Sequence, residues 1–124
     1  MEMHILHYYK GTDGMLGAII GIFFDTNEEK GGSSDFLDSL FSIVDLPDDN
    51  ISSGTVRMLD FLQNVDFSSY WNYNGSLTTP PCQEGIKWTV ISDVQPLSVK
   101  QLERIQKSVG EFGNSRAIQQ KTNM

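Results

Sequence analysis

Apolar positions along this chain change period several times, and each change marks an element. Residues 2 to 9 (EMHILHYY) are rich in β-branched and aromatic types and run into Lys10, Gly11 and Gly14, which predicts a strand ending in a turn. Leu16 to Asp25 (LGAIIGIFFD) is almost continuously apolar, the pattern of a strand covered on both sheet faces. Residues 25 to 34 break that pattern with charge and paired glycine, as a solvated loop does. From Asp35 to Leu46, Phe36, Leu37, Leu40, Phe41, Ile43 and Val44 recur at helical spacing behind Ser33 or Ser34 as N-cap, predicting one short helix. Leu46 to Thr55 reads as loop, and Val56 to Phe67 fits a strand or a helical turn equally.

Farther along, Tyr70 to Tyr73 and Gly85 to Ser92 predict two strands separated by a loop rich in Gly, Ser, Thr and Pro. Ile86, Trp88 and Val90 share one face of the second. Ser98-Val-Lys-Gln101 has the form of a capping box, and Val99, Leu102, Ile105 and Val109 give the surface helix after it an apolar stripe. The tail from Gly110 is polar with little periodicity. With no repeat, linker or low-complexity tract, the 124 residues make at most one domain.

Charge narrows the partners. With 9 basic and 16 acidic side chains the net charge is -7, and no basic stripe exists, so neither nucleic acid nor an anionic membrane is an expected partner. The longest apolar run, Met15 to Phe24, is about ten residues and too short to be a transmembrane segment. The opening MEMHILHYYK lacks the regions of a secretory signal and reads as a strand from mid-domain. Cys82, the single cysteine, cannot form an internal bridge.

Candidate chemistry begins in the first strand. If residues 2 to 9 are extended, Glu2, His4 and Leu6 share one face and His7 lies on the other. A metal-bound imidazole commonly donates its second ring N–H to a carboxylate, so Glu-x-His on a strand has the geometry of a ligand and its brace. A pair of histidines hydrogen-bonded within an apolar strand is the plainer reading of the same residues. The helical alternative, with His4 and His7 on one face, is disfavoured by Ile5, Tyr8 and Tyr9.

Residues 70 to 91, YWNYNGSLTTPPCQEGIKWTVI, resemble the signature around the active-site threonine of α-class carbonic anhydrases. Glu2-Met-His4-Ile-Leu-His7 resembles that family's Glu-x-His-x-x-His strand, Ala18 to Phe23 resembles its next strand, and Gly113-Asn-Ser-Arg116-Ala-Ile-Gln119 is similar to its closing segment. The resemblance implies an α+β, mainly β fold: the C-terminal part of a large mixed, mostly antiparallel twisted sheet with short peripheral helices. Residues 1–124 would then be a partial domain.

By that resemblance His4 is one of three histidines on a catalytic Zn²⁺, Glu2 is its carboxylate partner, and His7 is a structural histidine behind the strand. Thr78 matches the threonine that orients the attacking oxygen, with Thr79 beside it. Leu6, Ile19, Leu77, Ile86 and Trp88 match the apolar wall where the substrate, carbon dioxide, rests before leaving as bicarbonate; for Ile19 and Ile86 plain core packing is the simpler role. Arg116 would tie the tail down, and Pro80-Pro81 suits a turn with a cis bond. Cys82 matches a cysteine that is disulfide-bonded in secreted members, which implies a parent protein in an extracellular or secretory setting.

The family's other two zinc-binding histidines precede the Glu-x-His strand, and no counterpart stands among these 124 residues. The zinc site is therefore expected to be incomplete and the chain alone inert, with a sheet edge and apolar surface left open. A non-catalytic binding module on the same scaffold is the alternative.

Overall fold

A computed structural model describes residues 1–11, 15–26, 32–45, 50–51, 54–110 and 113–120. Its elements, in chain order, are β1 (Glu2–Tyr8), β2 (Leu16–Asp25), α1 (Asp35–Ile43), β3 (Val44–Asp45), β4 (Asn50–Ile51), α2 (Met58–Leu62), β5 (Tyr70–Ser76), β6 (Glu84–Pro96) and α3 (Val99–Val109). The main sheet has the order β1-β2-β6-β5. Its outer pairings, β1 with β2 and β5 with β6, are antiparallel, whereas the central β2 and β6 run parallel. The sheet is thus mixed and mostly antiparallel, as expected. A parallel pair needs a long crossover, and here the chain between β2 and β6 supplies it together with α1, α2 and β5.

Strand alternation divides the residues between two faces. Ile22 of β2 and Ile91 of β6 stand in register, both fully buried, and with Phe24 they meet Leu37, Phe41, Phe61, Val65 and Leu97. Phe61 of α2 stacks on Phe24 at 5.8 Å and on Phe36 at 4.5 Å between centroids. Burying aliphatic and aromatic side chains of this size stabilises by about 1.5–3 kcal/mol each, so this helix-covered face is the main source of cohesion. The opposite face carries Glu2 and His4.

Two helix starts share one amide. Ser34 caps α1, its Oγ accepting the Leu37 N–H at 3.3 Å, and Asp35 and Asp38 complement the positive end of the helix. Ser98 and Gln101 form the anticipated capping box at α3. Gln101 also reaches back to α1: its Oε1 accepts the Ser34 N–H at 3.1 Å, and its Nε2 donates to the Ser34 carbonyl at 2.9 Å and to Asp38 Oδ1 at 2.6 Å. At the other end of α1, Arg104 donates to the Phe41 carbonyl at 2.9 Å while lying over the Phe41 ring. It supplies the cation that the last turn of α1 lacks.

Several boundaries differ from the sequence reading. The helix expected to reach Leu46 stops at Ile43, where the β-branched pair Ile43-Val44 disfavours another turn and residues 44–45 pair with 50–51 instead. The loop expected over 46–55 therefore contains a short strand; its residues 46–49 and 52–53 lie outside the described set, as do 27–31 of the earlier loop and 12–14 of the first turn. Residues 56–67 resolve as the short helix α2 followed by a turn. The strand expected over 70–73 continues to Ser76, and that over 85–92 runs from Glu84 to Pro96. Polar Asp93 and Gln95 did not signal a strand, yet they satisfy one another: Gln95 Nε2 donates to Asp93 Oδ2 at 2.8 Å, and the same oxygen accepts the Asp66 N–H at 3.0 Å.

Candidate functional site

The sheet face away from the helices is laid out in rows. His4 stands opposite Gly21, which pairs with Val90 and then Trp71; one step along, Leu6, Ile19, Trp88 and Tyr73 form the next row. Glu2 and His4 share this face, as alternation predicted, and Glu2 Oε1 lies 3.0 Å from His4 Nε2. That approach is within ion-pair distance, and Nε2 is a buried nitrogen without a hydrogen bond. In general, an imidazole with a carboxylate at one ring nitrogen has the other available as a donor atom.

Gly21 makes room for this pair. A Cβ built there would stand 3.0 Å from Glu2 Oε1, so the carboxylate occupies space that a side chain would claim. On the other side of His4, the Trp88 ring stands 4.9 Å away at 80°, an edge-to-face contact. Tyr73 stacks parallel to Trp88 at 6.0 Å. Burial, and secondarily the negative charge of Glu2, push the Tyr73 phenol above its ordinary pKa of 10.0.

The threonine loop hangs from the same cluster. Trp88 Nε1 donates to the Ser76 carbonyl at 3.0 Å, and Leu77 packs on the cluster of Leu16, Ile19, Ile86 and Trp88. The loop is closed by the Leu77 N–H donating to the Gln83 carbonyl at 2.8 Å and by the Cys82 N–H donating to the Thr79 carbonyl at 2.9 Å. Its Pro80–Pro81 bond is cis. Arg116 Nη1 lies 3.3 Å from both the Leu77 carbonyl and Cys82 Sγ, so the arginine does tie the tail, and it does so to this loop. Cys82 is a half-buried free thiol.

Of the candidate residues, Glu2, His4 and Trp88 are thus brought together, with Ile19, Leu77 and Ile86 clustered with the indole, whereas Leu6, paired with Ile19, is exposed on the outer strand. Thr78 and Thr79 are exposed on the loop, linked to His4 through Leu77 and Trp88. His7, paired with Ala18, is exposed and lies on the opposite face. Tyr73, Gly21 and Gly75 were not singled out from the sequence. The signal for the glycines was there, since an isolated glycine inside a strand marks a close approach. Among the described residues no three His, Cys, Asp or Glu side chains gather into a metal-binding group. Zinc takes three or four protein donors, so these residues fit one ligand and its brace, not a whole site.

The family model for eukaryotic-type carbonic anhydrase matches residues 1–124. The chain belongs to that family. Alpha carbonic anhydrase 3 of Arabidopsis thaliana is 36% identical over 103 residues, which are 83% of this chain and 35% of the plant protein. The fungal α-carbonic anhydrase of Aspergillus oryzae superposes with a TM-score of 0.78 at 29% identity, covering 97% of this chain and 50% of the fungal one. A dioscorin solved in complex with ascorbate superposes with a TM-score of 0.71 at 27% identity, over 96% of this chain and 48% of its own. This chain therefore spans half or less of the length of these carbonic anhydrase relatives, and the sheet described above is the matching portion of an α-carbonic anhydrase fold.

Proposed function

We propose that this chain is the C-terminal half of a zinc enzyme that converts carbon dioxide to bicarbonate and a proton, and that it is inert by itself. The observation that carries the reading is the Glu2 carboxylate 3.0 Å from His4 Nε2 on a sheet face that the helices leave open. In this reading His4 Nδ1 is one protein ligand, Glu2 holds the ring, and the remaining ligands come from polypeptide outside these residues. Bound zinc supplies the Lewis acidity that makes a hydroxide nucleophile available near neutral pH. Thr78 orients the nucleophile through its hydroxyl, with Thr79 beside it. Leu6, Ile19, Leu77, Ile86 and Trp88 give a small apolar substrate a dry wall. His7 supports the strand from behind. The match of Cys82 to the cysteine of secreted members supports an extracellular or secretory setting for the parent protein.

Zinc content and a carbon dioxide hydration assay test this. The chain alone should hold no stoichiometric zinc and leave hydration at the buffer rate. Co-expressed with the part of the Aspergillus relative that it does not match, it should bind zinc and hydrate carbon dioxide, and His4→Ala should abolish both. A co-purifying complex that holds no zinc would defeat the enzyme reading.

A second reading, a binding module without zinc chemistry, is favoured by the likeness to a dioscorin solved with ascorbate. Saturable ascorbate binding by the zinc-free chain, with hydration absent in every combination, would select it.

A further inference from the structure

We propose that Trp88 is a positioning residue that locks the His4 imidazole and the Leu77–Gln83 loop to one another, beyond its place in an apolar wall. The claim rests on the proposed function only in giving His4 and Thr78 their chemical roles; the coupling itself stands on contacts. Trp88 is 3% exposed and sits between two partners on one face. Its ring stands edge-to-face against His4, which blocks rotation of the imidazole out of its present plane. Its indole N–H donates to the Ser76 carbonyl, two residues before Thr78.

That hydrogen bond falls where the β5–β6 ladder is interrupted. The β5–β6 register slips between Gly75 and Ser76, and the chain leaves the sheet one residue later. A side-chain donor reaching across at this point fixes the exit angle of the loop. Gly75 lets the ring lie close against β5: a Cβ there would stand 2.9 Å from Tyr73 Cε2 and 3.0 Å from Trp88 Cδ1. A residue needed only to fill apolar volume would have no use for the N–H, whereas this one spends it on the loop while its ring bears on His4.

The test uses the ¹⁵N-labelled chain and the variant Trp88→Phe, which keeps an aromatic ring and removes the donor. In the variant, amide exchange at Leu77 and Cys82 should quicken about tenfold or more, as for a local opening, and the His4 ring ¹⁵N resonances should move. Ile22 and Ile91 amides should keep their protection. Unchanged loop exchange and unchanged His4 resonances would reduce Trp88 to core filling and overturn the proposal. If Trp88→Phe does not fold, Gly75→Ala displaces the same ring with the N–H present: loop and His4 signals moving together support the coupling, and one moving without the other refutes it. A zinc titration of the assembled complex, read at His4 Nδ1, reports on the metal reading separately, since the coupling can hold where that nitrogen ignores zinc.

Discussion

Glu2 Oε1 and His4 Nε2 stand 3.0 Å apart on one face of β1, two residues apart in sequence and joined by nothing but the pleat of the strand. The carboxylate occupies the space above Gly21 and stands beside one ring nitrogen of His4. Replacing Glu2 by Gln keeps the shape and removes the charge. In the complex that carries the remaining donors, Glu2→Gln should weaken zinc about 10–100-fold, the range generally seen when such a partner is lost. Competition against a chelator of known affinity measures it, and an unchanged affinity would mean that the brace is ornamental.

How much of this arrangement was readable beforehand depends on the distance over which each feature is decided. The shared face of Glu2, His4 and Leu6 follows from period-two alternation within seven residues, and the capping box of Ser98 and Gln101 from a four-residue pattern; both are local and both hold. The extra reach of Gln101 to Ser34 spans 67 positions, and nothing within either segment announces it. The same is true of the parallel pairing of β2 with β6, which places Trp88 beside Ile19 and so against His4. The threonine loop was legible through family resemblance, whereas its attachment by the indole N–H depends on a register slip that only the assembled sheet reveals. The end of β6 was missed because Asp93 and Gln95 look like loop residues until they are seen bonding to one another.

Gln101 supports a stability prediction that leaves the site alone. Its amide makes four hydrogen bonds, to Ser34 N–H and carbonyl, to Ser98 N–H and to Asp38, and the Ser34 contacts are buried. Gln101→Leu fits the volume but orphans the Ser34 groups and removes the side-chain half of the α3 capping box, leaving the Ser98 hydroxyl on the residue-101 N–H. Each buried group left without a partner costs on the order of 1–3 kcal/mol, so urea unfolding should show a loss of at least that size. The His4 ring resonances should not move, because the latch lies on the helix-covered side of the sheet.

Tyr73 gives the pH dependence its sign. Burial first, and the Glu2 charge second, raise the folded-state pKa of the phenol above 10.0, so the folded protein binds this proton more tightly than the unfolded chain. The contribution is therefore complete below pH 10.0 and is lost as pH rises through the higher folded value. Urea melts in alkaline buffers should show stability falling in that window. With Glu2→Gln the smaller cause disappears, and tyrosinate absorbance should place the Tyr73 transition lower than in the parent chain yet still above the ordinary value. A transition unmoved by Glu2→Gln would show that the charge does not reach the phenol.

The open face makes the last prediction. Leu6, Phe23, Trp71 and Tyr73 lie on the His4 side of the sheet, 43%, 36%, 61% and 41% exposed, and the outer edge of β1 has no strand partner among the described residues. Exposed apolar side chains together with an unpaired edge favour association, because burying the one and pairing the other both lower the free energy. The isolated chain should therefore elute from gel filtration at an apparent mass that rises with concentration. Phe23→Ser together with Trp71→Ser should shift it toward the monomer without lowering its urea midpoint much, since neither ring belongs to the core beneath the helices. The unmatched half of the Aspergillus relative should have the same effect if it covers this face, and the two treatments should then not add. A chain that is monomeric at every concentration would show that the exposed rings are too dispersed to act as a surface.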